Sequence, residues 1–192
     1  MQKVKIGPQT LLYPKPALLI GALVDGKPNF MTVAWAGIAN MNPPMLSMAI
    51  RAERYTYKGI SKNRTFSVNI PSQDQAKETD YCGIISGSRT DKVADCGFSV
   101  FYGEMKTAPM IGECPVNLEC SLQEELKFDT HVLCVGRIEE VHVSEGCLTE
   151  GKPDVSKIRP LVFATGVERA YYKMGERLAT AYQVGRQVRS AE

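Results

Sequence analysis

Between Phe30 and Asn63 the chain reads FMTVAWAGIANMNPPMLSMAIRAERYTYKGISKN, and no other stretch restricts the fold as strongly. Its period is two. Met31, Val33 and Trp35 fall on one side of a first strand, with Thr32, Ala34 and Ala36 on the other. Asn42-Pro43-Pro44 forces a turn, because neither proline can donate to a ladder. A second strand follows, in which Leu46, Met48 and Ile50 alternate against Ser47, Ala49 and Arg51. Residues 55–60 then open a helix, with Thr56 as the N-cap candidate. Each strand has a bulky face for a core and a face of small or polar residues. Two readings fit the second face. It is the solvent side of a half-buried sheet, with Arg51 solvated and Thr56 only a cap. Otherwise it is a groove for a flat ligand whose phosphate meets Arg51, Thr56 and the free N–H groups of the helix start.

With 192 residues the expectation is one domain, 1–192, with room for a substantial core. A net charge of +2 without a Lys/Arg run argues against nucleic acid. No apolar run approaches the ~20 residues of a membrane helix, and residues 1–5 lack a signal core. The expectation is therefore a cytoplasmic protein without a membrane partner. Six cysteines stand at 82, 96, 114, 120, 134 and 147, with neither a C-x-x-C pair nor zinc-ligand spacing. They read as buried thiols, and no metal site is expected.

Residues 1–16 carry three prolines and read as an extended lead-in. A strand over 17–24 turns at Asp25-Gly26 into the first strand above. Residues 65–70, 116–122 and 132–143 are further strands, with residues 127–131 at the tip between the last two. Ser72 and Gln75 match a capping box. Residues 83–97 read as a glycine-containing loop with a short helix near Asp91 to Asp95. Tyr171, Met174, Leu178 and Ala181 recur at helical spacing, which predicts a helical tail over about 170–188. Gly146 to Lys152 has P-loop spacing, but Pro153 replaces the required hydroxyl and no apolar helix follows. The whole is mainly β, a small antiparallel barrel with helices attached.

Several pieces, in this order and spacing, resemble the flavin reductase-like, FMN-binding split-barrel proteins and, within them, the flavoredoxin group. They are NFMTVAWAG, PPMLSMAIR with RYTYKGI behind it, TFSVNIP, SGSRTDKV, DTHVLCVGRIEEV and a YY-x-MG tail. The resemblance implies a Greek-key split barrel that forms a homodimer and binds FMN near the subunit interface. It places the flavin ring against Thr32, Val33, Ala34 and Trp35, with Ala36 and Asn40 close by. It assigns the phosphate to Ser47, Arg51, Tyr55, Thr56 and Lys58, and lets the loop carrying Ser86 and Lys92 reach over the cofactor.

His131 follows Asp129-Thr130 where the family often has Gly-Asp-His. It either touches the flavin or an incoming nicotinamide, as a catalytic residue, or is a solvated turn histidine. The activity implied is transfer of electrons from NAD(P)H through FMN to a flavin, iron or another acceptor. The alternative is a flavoredoxin-like carrier that receives electrons from a protein partner.

Overall fold

The computed structural model describes residues 1–189. In chain order the elements are β1 (Lys15–Pro16), β2 (Leu18–Val24), β3 (Lys27–Val33), β4 (Ala36–Asn40), β5 (Met45–Ile50), α1 (Tyr55–Asn63) and β6 (Thr65–Ile70). Then come α2 (Ala76–Ile84), α3 (Lys92–Cys96), β7 (Val100–Phe101), β8 (Met110–Ile111), β9 (Val116–Lys127) and β10 (Val132–Val143). The last are β11 (Leu148–Thr149), β12 (Lys152–Pro153), α4 (Val155–Ile158), β13 (Leu161–Thr165) and β14 (Arg169–Lys173).

Seven strands form one sheet in the order β3-β2-β6-β9-β10-β5-β4, and every pairing is antiparallel. Strands β3 and β4 are its opposite edges, yet only Ala34 and Trp35 separate them in the chain. A sheet whose edges are joined by two residues must curl round on itself. The result is a Greek-key barrel, split where the chain changes partners: Val33 still pairs with Leu18, whereas Trp35 O already accepts Ala49 N–H at 2.8 Å. The continuous strand expected from Phe30 to Ala36 is thus broken at Ala34. Trp35, expected on the core face with Met31 and Val33, is 41% exposed instead.

The alternation otherwise holds. Ile20, Met31, Val33, Leu46, Met48, Ile50, Phe66 and Val132 fill the barrel. Leu19 and Phe30, on the opposite faces of β2 and β3, pack with Cys82, Phe98 and Ile111 under α2 and α3. Burial on both faces explains why β2 reads as an unbroken apolar run. Each buried methylene contributes about 0.8 kcal/mol. Helix α1 lies so close to β2 that a Cβ at Gly59 would fall 2.3 Å from Leu23 O.

Three local expectations change. Thr56 is not the cap of α1: Arg54 holds that position with extended backbone, and Thr56 is buried in the first turn. The tail is not an α-helix. Its residues 169–173 form β14 against β13, which buries one side of Tyr171, and a 3₁₀ segment follows at Val184–Arg189. The apolar spacing there matched a helix, but Gly175 interrupts it and the edge of β13 was open to pairing. The helix before residues 83–97 runs on to Ile84. The Ser72–Gln75 box is present and caps a 3₁₀ turn ahead of α2, and Asp91 caps α3 through Val93 and Ala94 N–H. The P-loop look-alike is a small β11–β12 hairpin that turns at Glu150 and Gly151 with positive φ.

Among the described residues no helix is long and apolar enough to cross a membrane, and no group of three His, Cys, Asp or Glu could hold a metal ion. All six cysteines are free. Burial pushes the Cys82 and Cys134 thiols up to about 12, which leaves them protonated at neutral pH.

Candidate functional site

A cavity of about 470 Å³ opens at the split of the barrel. One wall is the chain from Met31 to Trp35 and another is Ala49 to Arg51. The small residues of the sequence pattern make the space: Ala34 and Ala49 present only methyl groups to it. Strand β3 has a single neighbour in the sheet, so its outer edge offers peptide N–H and C=O groups at the cavity wall.

The start of α1 closes one end with Arg54, Tyr55 and Thr56. No side chain caps this helix; Tyr57 N–H donates to Arg54 O at 3.0 Å, and the Tyr55 and Thr56 N–H groups remain available to an anion. Arg54 Nη2 donates to Gly83 O at 2.8 Å, which ties the guanidinium to the end of α2. Arg51 is more exposed and stands 3.7 Å from Glu53, an ion pair that solvent screens. The Thr56 hydroxyl accepts a bond from Asn29 Nδ2 at 2.6 Å, so its own proton is free to point elsewhere. Asn29 in turn presses on Gly87, where a Cβ would fall 1.8 Å from Asn29 Oδ1. Only glycine lets the loop after α2 approach this closely.

Lys92 lies beneath the cavity, 3% exposed, and donates to Phe30 O and Cys82 O at 2.9 Å each. Burial away from water lowers its ammonium to about 8, with Arg54 adding to the same direction and Cys82 opposing it. Ser86 lines the opposite rim and shares a hydrogen bond with Ser88 Oγ at 2.9 Å. His131 also faces the cavity, stacked on Trp35 with Nδ1 2.8 Å from Thr130 Oγ1. The threonine inserted between Asp129 and His131 therefore holds the ring rather than displacing it.

Of the residues expected from the sequence, Thr32, Val33, Ala34, Trp35, Arg51, Tyr55, Thr56, Ser86, Lys92 and His131 meet here. Four do not. Ala36 and Ser47 line a second cavity on the other side of Trp35. Asn40 is exposed at the end of β4 and donates to Pro43 O at 2.8 Å. Lys58 stands over the Tyr55 ring, 5.5 Å from its centroid, one turn along the helix from the cavity. Sequence reading passed over Asn29, Arg54 and Gly87. The signal for Arg54 was its place directly before the helix; Asn29 and Gly87 meet only through the fold.

The flavin reductase like domain model matches residues 10–171. The structure resembles flavoredoxin from Methanosarcina acetivorans, with 42% identity, a TM-score of 0.92 and coverage of 98% of this chain and 100% of that one. Flavoredoxin of Desulfovibrio vulgaris (Miyazaki F) gives 39%, 0.89, 96% and 100% for the same measures. An FMN-binding protein from Thermus thermophilus, with bound 1-cyclohex-2-enone, gives 25%, 0.78, 94% and 99%.

Proposed function

The chain belongs to the flavin reductase-like family, and on that footing we propose that it binds FMN in the cavity beside Trp35 and transfers electrons from NAD(P)H through the bound flavin to a flavin, iron or other acceptor. The observation that carries the reading is the meeting of an open strand edge and an uncapped helix start flanked by Arg54 in one cavity. A flavin mononucleotide needs both: peptide groups along a flat ring, and cationic and N–H donors at a phosphate. The FMN-binding relative supports the choice of cofactor.

When bound, FMN supplies the redox chemistry. The protein's part is position and electrostatics. Thr32 to Trp35 and Ala49 hold the ring in a slot, Arg54 and the α1 start hold the phosphate, and Arg51 adds charge from the rim. Lys92, a buried cation lining the cavity, would favour negative charge on a group bound there. His131 and Trp35 form a stacked aromatic wall of the cavity.

The visible absorbance of the purified protein tests the cofactor, since a colourless protein that takes up no added FMN overturns the reading. Anaerobic mixing with NADH or NADPH tests the donor, with rapid bleaching of the flavin expected. The identity with two flavoredoxins favours a second reading, a carrier reduced by a protein partner. In that case the flavin stays oxidised with both nucleotides.

The proposal includes a homodimer. β4 is a sheet edge whose residues 37–40 are exposed, with Ile38 at 76% and the following Met41 at 90%. An apolar, unpaired edge favours association with a second copy. Sedimentation of FMN-saturated protein as a monomer at micromolar concentration counts against it.

A further inference from the structure

Helices α2 and α3 are tied side by side, and each tie lies next to a cysteine or on it. Tyr81 Oη donates to Asp95 Oδ2 at 2.6 Å, and Lys92 Nζ donates to the Cys82 carbonyl at 2.9 Å. Cys82 on α2 and Cys96 at the end of α3 share one apolar cluster with Phe98 and Cys114. Their thiols hydrogen-bond to each other, an arrangement that favours the thiolate of Cys96 over that of Cys82. No C-x-x-C spacing announces this pair; only the fold brings the two together.

The two thiols differ in access. Cys82 is buried, whereas Cys96 is only partly covered. Cys96 also ends α3, and Gly97 follows it in the left-handed conformation with open space around its Cα. Burial holds the Cys96 thiol above its ordinary value, and Glu78 and Asp95 add to this. The hydrogen bond from Cys82 and the Lys92 ammonium pull the other way. Cys82 is pushed up to about 12, mainly by burial, and stays protonated. Cys96 is thus the thiol that an oxidant reaches, and Cys82 is the thiol behind it.

From this cluster we infer that Cys82 and Cys96 form a reversible disulfide when a hydroperoxide is present, and that the bond fixes the rim of the first cavity. The Cys96 thiolate attacks one peroxide oxygen, the O–O bond breaks, and Cys96 becomes a sulfenic acid. The Cys82 sulfur then attacks the Cys96 sulfur, the S–O bond breaks, and the hydroxide leaves with the Cys82 proton as water. Two thiols and one hydrogen peroxide give one disulfide and two waters. Between the two cysteines runs the stretch 83–95, whose Ile85, Ser86, Gly87 and Lys92 line the first cavity. The crosslink closes this stretch into a ring and removes conformations in which Gly87 stands away from Asn29. The inference rests on the α2–α3 contact and does not require the flavin reading.

The full chain, reduced and then freed of reductant, is treated with hydrogen peroxide, alkylated in denaturant and mapped by peptide mass. One internal crosslink, Cys82 to Cys96, is expected, with loss of two hydrogens from the intact mass and full reversal by dithiothreitol. Cys96→Ser and Cys82→Ala are each expected to abolish it. Cys147→Ser, at the other partly covered cysteine, is expected to leave it in place. Should Cys82→Ala fail to fold, Cys96→Ser and the wild-type map still decide. Amide exchange over residues 83–91 is expected to slow about tenfold in the crosslinked protein. Sulfinic or sulfonic acid at Cys96 without a crosslink overturns the assignment, as does a bond from Cys82 to Cys114 or between two copies. Thiols that all remain free after treatment overturn it too. Unchanged exchange over 83–91 overturns the fixing of the rim. FMN uptake, read from its absorbance before oxidation, reports separately on the cofactor.

Discussion

The imidazole of His131 lies stacked on the indole of Trp35, with ring centroids 4.7 Å apart and planes inclined by 21°. The two come from separate elements, one from the β9–β10 turn and one from the break between β3 and β4. Because the chain has one tryptophan, its emission reports on this stack. His131→Ala is expected to brighten the emission and to weaken FMN binding about three- to tenfold. Such aromatic contacts contribute roughly 0.5–1.5 kcal/mol. Emission indistinguishable from wild type would show that the stack does not persist in solution.

Arg54 and Arg51 are expected to act unequally on the phosphate. Arg54 is half-buried and fixed to Gly83 O, whereas Arg51 is exposed and shared with Glu53. Charge-assisted hydrogen bonds contribute roughly 1.5–3 kcal/mol, or about ten- to a hundredfold in affinity. Arg54→Ala should reach that range for FMN, and Arg51→Ala should fall short of it. Riboflavin, which lacks the phosphate, should respond much less to either. Equal losses for FMN and riboflavin would remove the phosphate from the helix start.

Lys92 sets a pH dependence of stability. Its ammonium titrates at about 8 in the folded protein and at the ordinary 10.5 when unfolded. Between these values the unfolded chain binds more protons, so this group makes stability rise with pH from about 8 to 10.5 and adds no slope outside that window. Melting temperatures of FMN-free wild type and Lys92→Met, compared from pH 7 to 10.5, should show the variant's advantage shrinking as pH rises. A constant difference would mean that Lys92 is solvated.

A buried pair far from the cavity tests the barrel itself. The Glu119 carboxylate, 1% exposed, accepts Met105 N–H at 2.8 Å and meets His142 Nε2 at 2.7 Å. Leaving a buried carboxylate oxygen without its hydrogen-bond partner costs roughly 1–3 kcal/mol or more. The His142 side chain is 34% exposed, and water can reach part of the gap. His142→Ala is therefore expected to cost about 2 kcal/mol in denaturant unfolding, with FMN affinity unchanged. A loss below measurement error would show that water replaces the imidazole without cost.

Gly87→Ala is expected to weaken FMN binding by about tenfold and to shift the melting temperature little. The new methyl must displace Asn29 Oδ1, which moves Asn29 away from the Thr56 hydroxyl. The loop around it is surface structure and can retreat. Unaltered FMN affinity would place Thr56 and Asn29 outside the binding geometry.

The period of two over residues 31–50, with its bulky and small faces, by itself predicted strands with Met31, Met48 and Ile50 on the core side. Local chemistry also sufficed for the Ser72–Gln75 box, which is made within four residues. Only the fold decided which small residues share a cavity. Ala34 and Ala36 have the same pattern, yet the chain changes partners between them and sends them to different sides of Trp35. The tail shows the same limit: its helical spacing was real, but the open edge of β13 offered backbone hydrogen bonds that spacing cannot register. Asn29 and Gly87 meet across 58 residues, and Lys15 meets Thr165 across 150. Contacts of that range depend on how the whole sheet curls, which no local pattern records.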